Sequence, residues 1–209
     1  MANANRQFHV SDTAALHALV QAQPLATLVV AQGGAQHVNH IPLFLDAARG
    51  PHGTLVGHVA RANALWPLLP QQAVAVFHGP QAYVSPSWYP SKALDGKQVP
   101  TWNYAAVHAH GSLSAFDEPE RLRALLHTLS EQHEAHRPAP WRISDAPPVY
   151  IDKLLHAIVG IELAVDRWEG LWKMSQNRTA PDHAGMVQGL MAEATPAAQD
   201  VANWMLSNK

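Results

Sequence analysis

A chain of 209 residues is long enough to bury a sizeable core in one domain, and its 47% hydrophobic content is ordinary for a globular protein. No run reaches the roughly 18 apolar residues of a membrane-spanning helix, and a net charge of −2 without any Lys/Arg block argues against affinity built on nucleic-acid phosphates. Cys is absent, which removes disulfides and thiolate metal sites, and the opening MANANRQFHV lacks the apolar core of a secretory signal, so a cytoplasmic protein is expected.

SDTAALHALVQAQP predicts a short helix with Ser11 as N-cap, Leu16, Leu19 and Val20 on its buried face, and Pro24 beyond its end. Strands are expected at 26–31 and 37–46, separated by Gly33-Gly34, with Ile41, Leu43 and Leu45 alternating as in a half-buried strand. ARGPHG turns the chain into a strand at 54–60, and RANALWPLLP reads as a turn and short helix ended by Pro70. AVAVFHG and AYVSP are expected as a strand pair joined at Gly79-Pro80, followed by a long strand over 101–116, bent or bulged at Gly111.

From Asp117 the period changes to that of a helix. Asp117 as cap and Glu120 three residues on suggest a capping box, and Leu122, Leu125, Leu126 and Leu129 share one face. A Pro-rich connection and a brief helix near Ile151 to Leu155 follow, then a strand hairpin turning at Glu169-Gly170. Two further helices begin at Thr179 and Thr195. Many short strands with few helices between the early ones indicate an antiparallel, mostly β (α+β) architecture, a closed or nearly closed barrel with peripheral helices. The expectation is one domain over 1–209 with C-terminal helices from about 179 to 209.

The stretches VSPSWYPSK and VPTWNYAAVHAHG thread Ser85, Ser87, Ser91, Thr101 and Asn103 between Trp88, Tyr89, Trp102 and Tyr104. Such a mixture suits a large flat ligand with hydrogen-bonding edges, of which a flavin is the type. It also suits a strand that packs Trp102 and Tyr104 in the core and turns Thr101 and Asn103 to water. In GHVARAN, Arg61 and Asn63 follow a strand, where an Arg fork fits a phosphate dianion or simply stands in solvent. EGLWKMSQNR gathers Trp172, Lys173, Ser175, Gln176, Asn177 and Arg178, a donor-rich set suited to an anion or to the pyrimidine edge of a flavin.

His108 and His110 would share a strand face and could chelate a divalent metal, but no third ligand is evident, and ordinary satisfied histidines are expected. Neither G-x-G-x-x-G after a strand nor G-x-x-x-x-G-K-[ST] occurs, so a nucleotide would be held by scattered side chains. No serine lies in G-x-S-x-G, and Asp46, Asp95 and Glu162 have no paired acid in the sequence.

HVNHIPLFLD, GHVARAN, VSPSWYPSK, VPTWNYAAVHAHG and WKMSQNR, in this order, resemble the PaiB family of FMN-binding negative transcriptional regulators, over about Phe8 to Leu190. The resemblance implies an FMN-binding split barrel, similar to pyridoxamine-phosphate oxidases and flavin reductases, with two chains forming a homodimer and FMN in the groove between them. By similarity of position, Arg61, Ala62 and Asn63 are implied to grip the flavin phosphate. Trp172, Lys173, Ser175 and Gln176 are implied to reach the flavin from the late strands. Ser85, Thr101, Trp102, Asn103 and Tyr104 would line the ring, with Lys92 or Lys97 on the phosphate. The Arg/Lys pattern of the pyridoxamine oxidases' second strand is not reproduced, and His40 stands there instead.

The regulatory label implies DNA or an effect on transcription, yet no pair of short helices has helix-turn-helix spacing and the charge is slightly acidic. An indirect effect through a small molecule or partner protein fits better than direct operator binding. The alternative is a flavin- or haem-dependent oxidoreductase on the same barrel, with His40 or His108 near the reactive ring edge.

Overall fold

The computed structural model describes residues 6–207. In chain order the elements are β1 (His9–Val10), α1 (Thr13–Ala22), β2 (Leu25–Gln32), β3 (Ala35–Pro42), β4 (Phe44–Asp46), β5 (Thr54–Ala60), β6 (Gln71–Val84), α2 (Lys92–Asp95), β7 (Thr101–Phe116), α3 (Pro119–Glu134), α4 (Pro148–His156), β8 (Ile158–Lys173), α5 (Ala180–Ala192) and α6 (Pro196–Ser207). The strands hydrogen-bond in the order β3-β2-β6-β7-β8-β5-β4, with β1 added on β8, an eight-stranded sheet. The chain divides into two compact units: Met1–Leu19, Phe77–His108 and Glu169–Lys209 form the first, and Val20–Val76 and Ala109–Trp168 the second.

In the second unit β2 buries Ala26, Leu28 and Val30 by strict alternation. Gly33 and Gly34, at φ 58° and 83°, close a two-residue hairpin whose last pair is Gln32 and Ala35. Positive φ at both positions is what such a tight turn needs and what glycine supplies. β4 and β5 pair antiparallel, and β5 pairs with β8 from Thr54 opposite Ala164 to Ala60 opposite Ile158. Leu122 and Leu125 of α3 and Ile151 and Leu155 of α4 close a core over Val56 and Phe116.

Two expected turns are absent. β6 runs unbroken through Gly79-Pro80 and β8 through Glu169-Gly170, because these glycines provide close approach rather than reversal. A Cβ on Gly79 would lie 2.8 Å from Leu19 Cδ1, and one on Gly170 would lie 2.3 Å from Leu16 Cδ2. The helix α1 is what occupies that space. At Gly111, where a bend was expected, a Cβ would stand 2.0 Å from the Ala164 carbonyl oxygen, so the glycine lets the backbones of β7 and β8 approach.

The helix starts also differ from expectation. Asp12, not Ser11, accepts the Ala14 N–H at 3.0 Å. α3 begins behind Glu118 with no side-chain cap, and Asp117 faces the Arg61 guanidinium at 3.6 Å instead of capping. The starts of α5 and α6 are as read: Thr179 Oγ1 accepts the Asp182 N–H and Thr195 Oγ1 the Ala198 N–H, both at 3.4 Å.

Candidate functional site

In the first unit, β6 and β7 present an aromatic face. Tyr83 and Trp102 are 49% and 46% exposed, and their rings meet edge to face with centroids 6.4 Å apart. The Trp102 indole N–H donates to Gln81 Oε1 at 3.3 Å. Lys173, the last residue of β8, donates its ammonium to Thr101 Oγ1 at 2.7 Å and to the Trp102 carbonyl, and lies 5.9 Å from the centre of the Tyr104 ring. Burial pushes the Lys173 ammonium below the ordinary lysine value, and the charge of Arg178 pushes it the same way. Flat apolar plates edged by an ammonium and a hydroxyl therefore share one surface.

The neighbouring residues of the WKMSQ run work on the other side of the strand. Trp172 packs edge to face on Trp204 of α6 at 5.6 Å, as strand alternation requires if Lys173 meets Tyr104. Asn103 is fully buried; its Oδ1 accepts from Ser175 Oγ at 2.8 Å and its Nδ2 approaches Met205 Sδ at 3.6 Å. Ser175 sits at φ 59°, a left-handed conformation a serine seldom adopts, and the Asn103 bond holds it there. Gln176 closes the same turn, with Oε1 accepting from the Met174 N–H at 2.8 Å and Nε2 donating to the Trp172 carbonyl at 2.6 Å.

The serine-rich segment is held by α5. Gly185 and Gly189 leave a slot for Trp88: added Cβ atoms would lie 2.2 Å from the Trp88 carbonyl oxygen and 2.2 Å from its indole Cδ2. Buried Asp182 accepts from the Ser91 N–H at 3.0 Å and from Ser91 Oγ at 2.8 Å. Those bonds, the Ser91 backbone N–H foremost, hold its carboxyl below the usual carboxylate value. Arg178 donates to Gln98, which donates to Ser91 Oγ. Ser85 caps the short turn 86–88 through Ser87. Lys92 and Lys97 are exposed.

In the second unit, Arg61, Ala62 and Asn63 form the turn after β5. The Arg61 guanidinium donates through Nε to the His156 carbonyl at 2.9 Å and through Nη2 to the Ile158 carbonyl at 3.1 Å. Asn63 Nδ2 donates to Asn39 Oδ1 at 2.9 Å, and its Oδ1 accepts the Leu65 N–H at 2.8 Å. Ala62 is exposed between them. His58, two residues before the end of β5, has a buried Nδ1 without a hydrogen-bond partner among the described residues, and burial lowers its pKa.

The other histidines have neighbours of several kinds. His40 Nδ1 meets Thr27 Oγ1 at 3.2 Å and His108 Nδ1 lies 3.9 Å from Glu169 Oε2. His110 Nδ1 is 3.0 Å from an Arg167 guanidinium nitrogen.

Sequence reasoning passed over Tyr83, Gln81, Asp182, Trp204 and His58. A signal existed for Asp182, in the Thr-Ala-Pro-Asp start of its helix, but none local to Trp204, which meets Trp172 only through folding of the tail.

A family model described as "Putative FMN-binding domain" matches residues 3–167. The chain is 31% identical over 202 residues to "Protease synthase and sporulation protein PAI 2" of Bacillus subtilis, covering 96% of this chain and 94% of that one. It is 32% identical over 225 residues to an uncharacterised protein of Emericella nidulans, covering 90% of each. Among solved structures, the FAD and haem binding protein of Mycobacterium smegmatis aligns with TM-score 0.61 at 17% identity, over 84% of this chain and 78% of that one. The flavocytochrome Anf3 of Azotobacter vinelandii aligns with TM-score 0.59 at 16% identity, over 87% and 78%. The fold is thus that of the flavin-binding split barrels, antiparallel β with helices around it.

Proposed function

The chain belongs to the PaiB family of FMN-binding proteins, and from that premise we propose that it works as a homodimeric flavoprotein of the cytoplasm that senses or uses FMN to influence transcription. FMN is the cofactor of the family. One observation carries the reading of the site: the half-exposed rings of Tyr83 and Trp102 beside partly buried Tyr104, with the Lys173 ammonium over the Tyr104 ring. The residues fit the group chemically, because a flavin offers an apolar plate for the indole and phenol rings and carbonyl acceptors for an ammonium and a hydroxyl.

Bound flavin supplies reversible electron transfer. With flavin bound, the Lys173 ammonium, fixed by Thr101 Oγ1 and the Trp102 carbonyl, would supply a positive charge favouring the reduced, anionic state. Trp172, Asn103, Ser175 and Gln176 hold the end of β8 in shape from the other side of the strand. In the second unit the Arg61–Asn63 turn is the proposed grip for a phosphate, its guanidinium oriented beforehand by two backbone carbonyls. In the first unit, exposed Lys92 or Lys97 is proposed, on the family resemblance, as a phosphate contact in its own right. A second copy of the chain, which the family resemblance implies, is the proposed cover for the half-exposed Tyr83 and Trp102 rings.

The net charge of −2 favours an indirect effect on transcription over operator contact. The protein should purify yellow, bind FMN one per chain, and lose affinity in Trp102→Ala. A colourless protein that takes up no FMN on fluorescence titration would refute the reading. Anaerobic NADPH separates sensor from oxidoreductase: flavin that stays oxidised fits the sensor, and rapid bleaching assigns an enzymatic role.

A further inference from the structure

A groove of about 680 Å³ lies between the end of β8 and the helices α5 and α6, wholly within the first unit. It is within the size range of small-molecule sites, which are apolar with a few placed polar groups. Its lining includes the crossed indoles of Trp172 and Trp204, the thioethers of Met174 and Met205, Val187 and the Arg178 guanidinium. Among the described residues no carboxylate lines it. Indole edges and thioethers favour a flat aromatic body, and the Arg178 guanidinium, which bears on Asp182 and spends one N–H on Gln98, offers a cation for an anionic group on it. The groove lies on the Trp172 side of β8, whereas Lys173 projects to the Tyr104 face proposed for flavin.

We propose that this groove binds a small aromatic carboxylate, at a site separate from the flavin. The groove's ligand class is argued from its own lining, whereas its separateness from the flavin rests on the placement of FMN on the Tyr104 face proposed above. It supplies a place where a metabolite acid would meet α5, the helix that seats Trp88 and Ser91. A ligand lodged against α5 would thereby bear on the 85–98 segment.

The probe is 2-naphthoate, titrated into FMN-saturated protein by calorimetry and by quenching of tryptophan fluorescence, with neutral 2-naphthamide alongside. One naphthoate per chain should bind with a Kd on the order of 1 mM or tighter. The amide should bind about tenfold more weakly, and Arg178→Gln should remove that difference. Ala184→Phe, a substitution at an exposed helix position lining the groove, should abolish naphthoate binding while FMN binding persists. Where a variant proves misfolded by circular dichroism, the wild-type comparison of acid and amide decides. No binding at 5-fold that concentration (about 5 mM), equal affinity for acid and amide, or release of FMN as naphthoate binds would each overturn the proposal. The last result would make the groove part of the flavin site and leave flavin binding itself standing.

Discussion

Replacing a helix-interior glycine by alanine ordinarily stabilises a protein by about 1 kcal/mol, because glycine loses more backbone entropy on folding. At Gly189 the sign should reverse. The new Cβ would stand 2.2, 2.3 and 2.6 Å from Cδ2, Cγ and Cδ1 of Trp88, where ordinary contact begins near 3.4 Å. The obstacle is the rigid root of an indole rather than the end of a flexible chain, so the ring must leave its slot or α5 must move. Overpacking of this kind costs about 1–3 kcal/mol, and a displaced tryptophan adds the apolar burial it forfeits. Gly189→Ala should therefore destabilise the wild-type background by about 1–3 kcal/mol net.

A double-mutant cycle isolates the cause. In a Trp88→Ala background the slot is open, so Gly189→Ala should become stabilising by about 1 kcal/mol, returning to intrinsic helix propensity. The coupling between the two sites is then about 2–4 kcal/mol, well above the few tenths expected of independent sites. Urea unfolding followed by far-ultraviolet circular dichroism measures all four proteins without relying on Trp88 fluorescence. A Gly189→Ala variant that stabilises the wild-type background, or a coupling near zero, would refute the claim that α5 is notched for Trp88.

Trp102→Ala should weaken FMN binding by about 1–3 kcal/mol if the ring stacks there as heteroaromatic rings do on exposed indoles, read by titration of flavin fluorescence. Lys173→Met should lower the flavin midpoint potential by about 20 mV, equivalent to about 1 kcal/mol for a two-electron couple; an unchanged potential would remove Lys173 from the ring edge. Arg61→Ala should cost about 2 kcal/mol, or about thirtyfold, in FMN affinity, with urea unfolding separating that loss from the two carbonyls left without a donor. Asp182 has a folded-state pKa below its ordinary 3.8, so its stabilising effect is complete above that value and is lost as pH falls through the lowered one. Asp182→Asn should accordingly flatten the acid limb of stability against pH below about 4, and an unchanged limb would exclude Asp182 from acid unfolding.

The sheet and its hairpins were legible because alternation and turn glycines are local signals: Ala26, Leu28 and Val30 face one way whatever the tertiary context, and Gly33-Gly34 demands a tight reversal. Gly79 and Gly170 were misread as turns for a complementary reason. Glycine serves both positive φ and close packing, and only the distant Leu19 and Leu16 reveal that packing is its task at these two positions. The cap of α3 failed similarly, since Asp117 had a competing cation in Arg61, 56 positions earlier in sequence.

The site was legible as a set of residues but not as a division between sides. Trp172 and Lys173 read in the sequence as one polar-aromatic cluster, and so do Trp102 and Asn103. The pleat sends Lys173 to Tyr104 and Trp172 to Trp204, while Trp102 stays half exposed and Asn103 vanishes beneath Met205. That division assigns the two halves of each motif different work. Residues on the Trp102 side are free to meet a ligand directly, and residues on the Asn103 side act by holding Ser175 in a conformation it would not choose alone. Substitutions on the first side should change affinity and redox potential with little loss of stability, and substitutions on the second should lower stability before they touch the flavin. Asn103→Ala, which removes the acceptor from Ser175 and leaves a buried hydroxyl unpaired, should cost about 1–3 kcal/mol of folding stability. If it instead left stability intact and altered only the flavin spectrum, the two-sided account of this strand pair would be wrong.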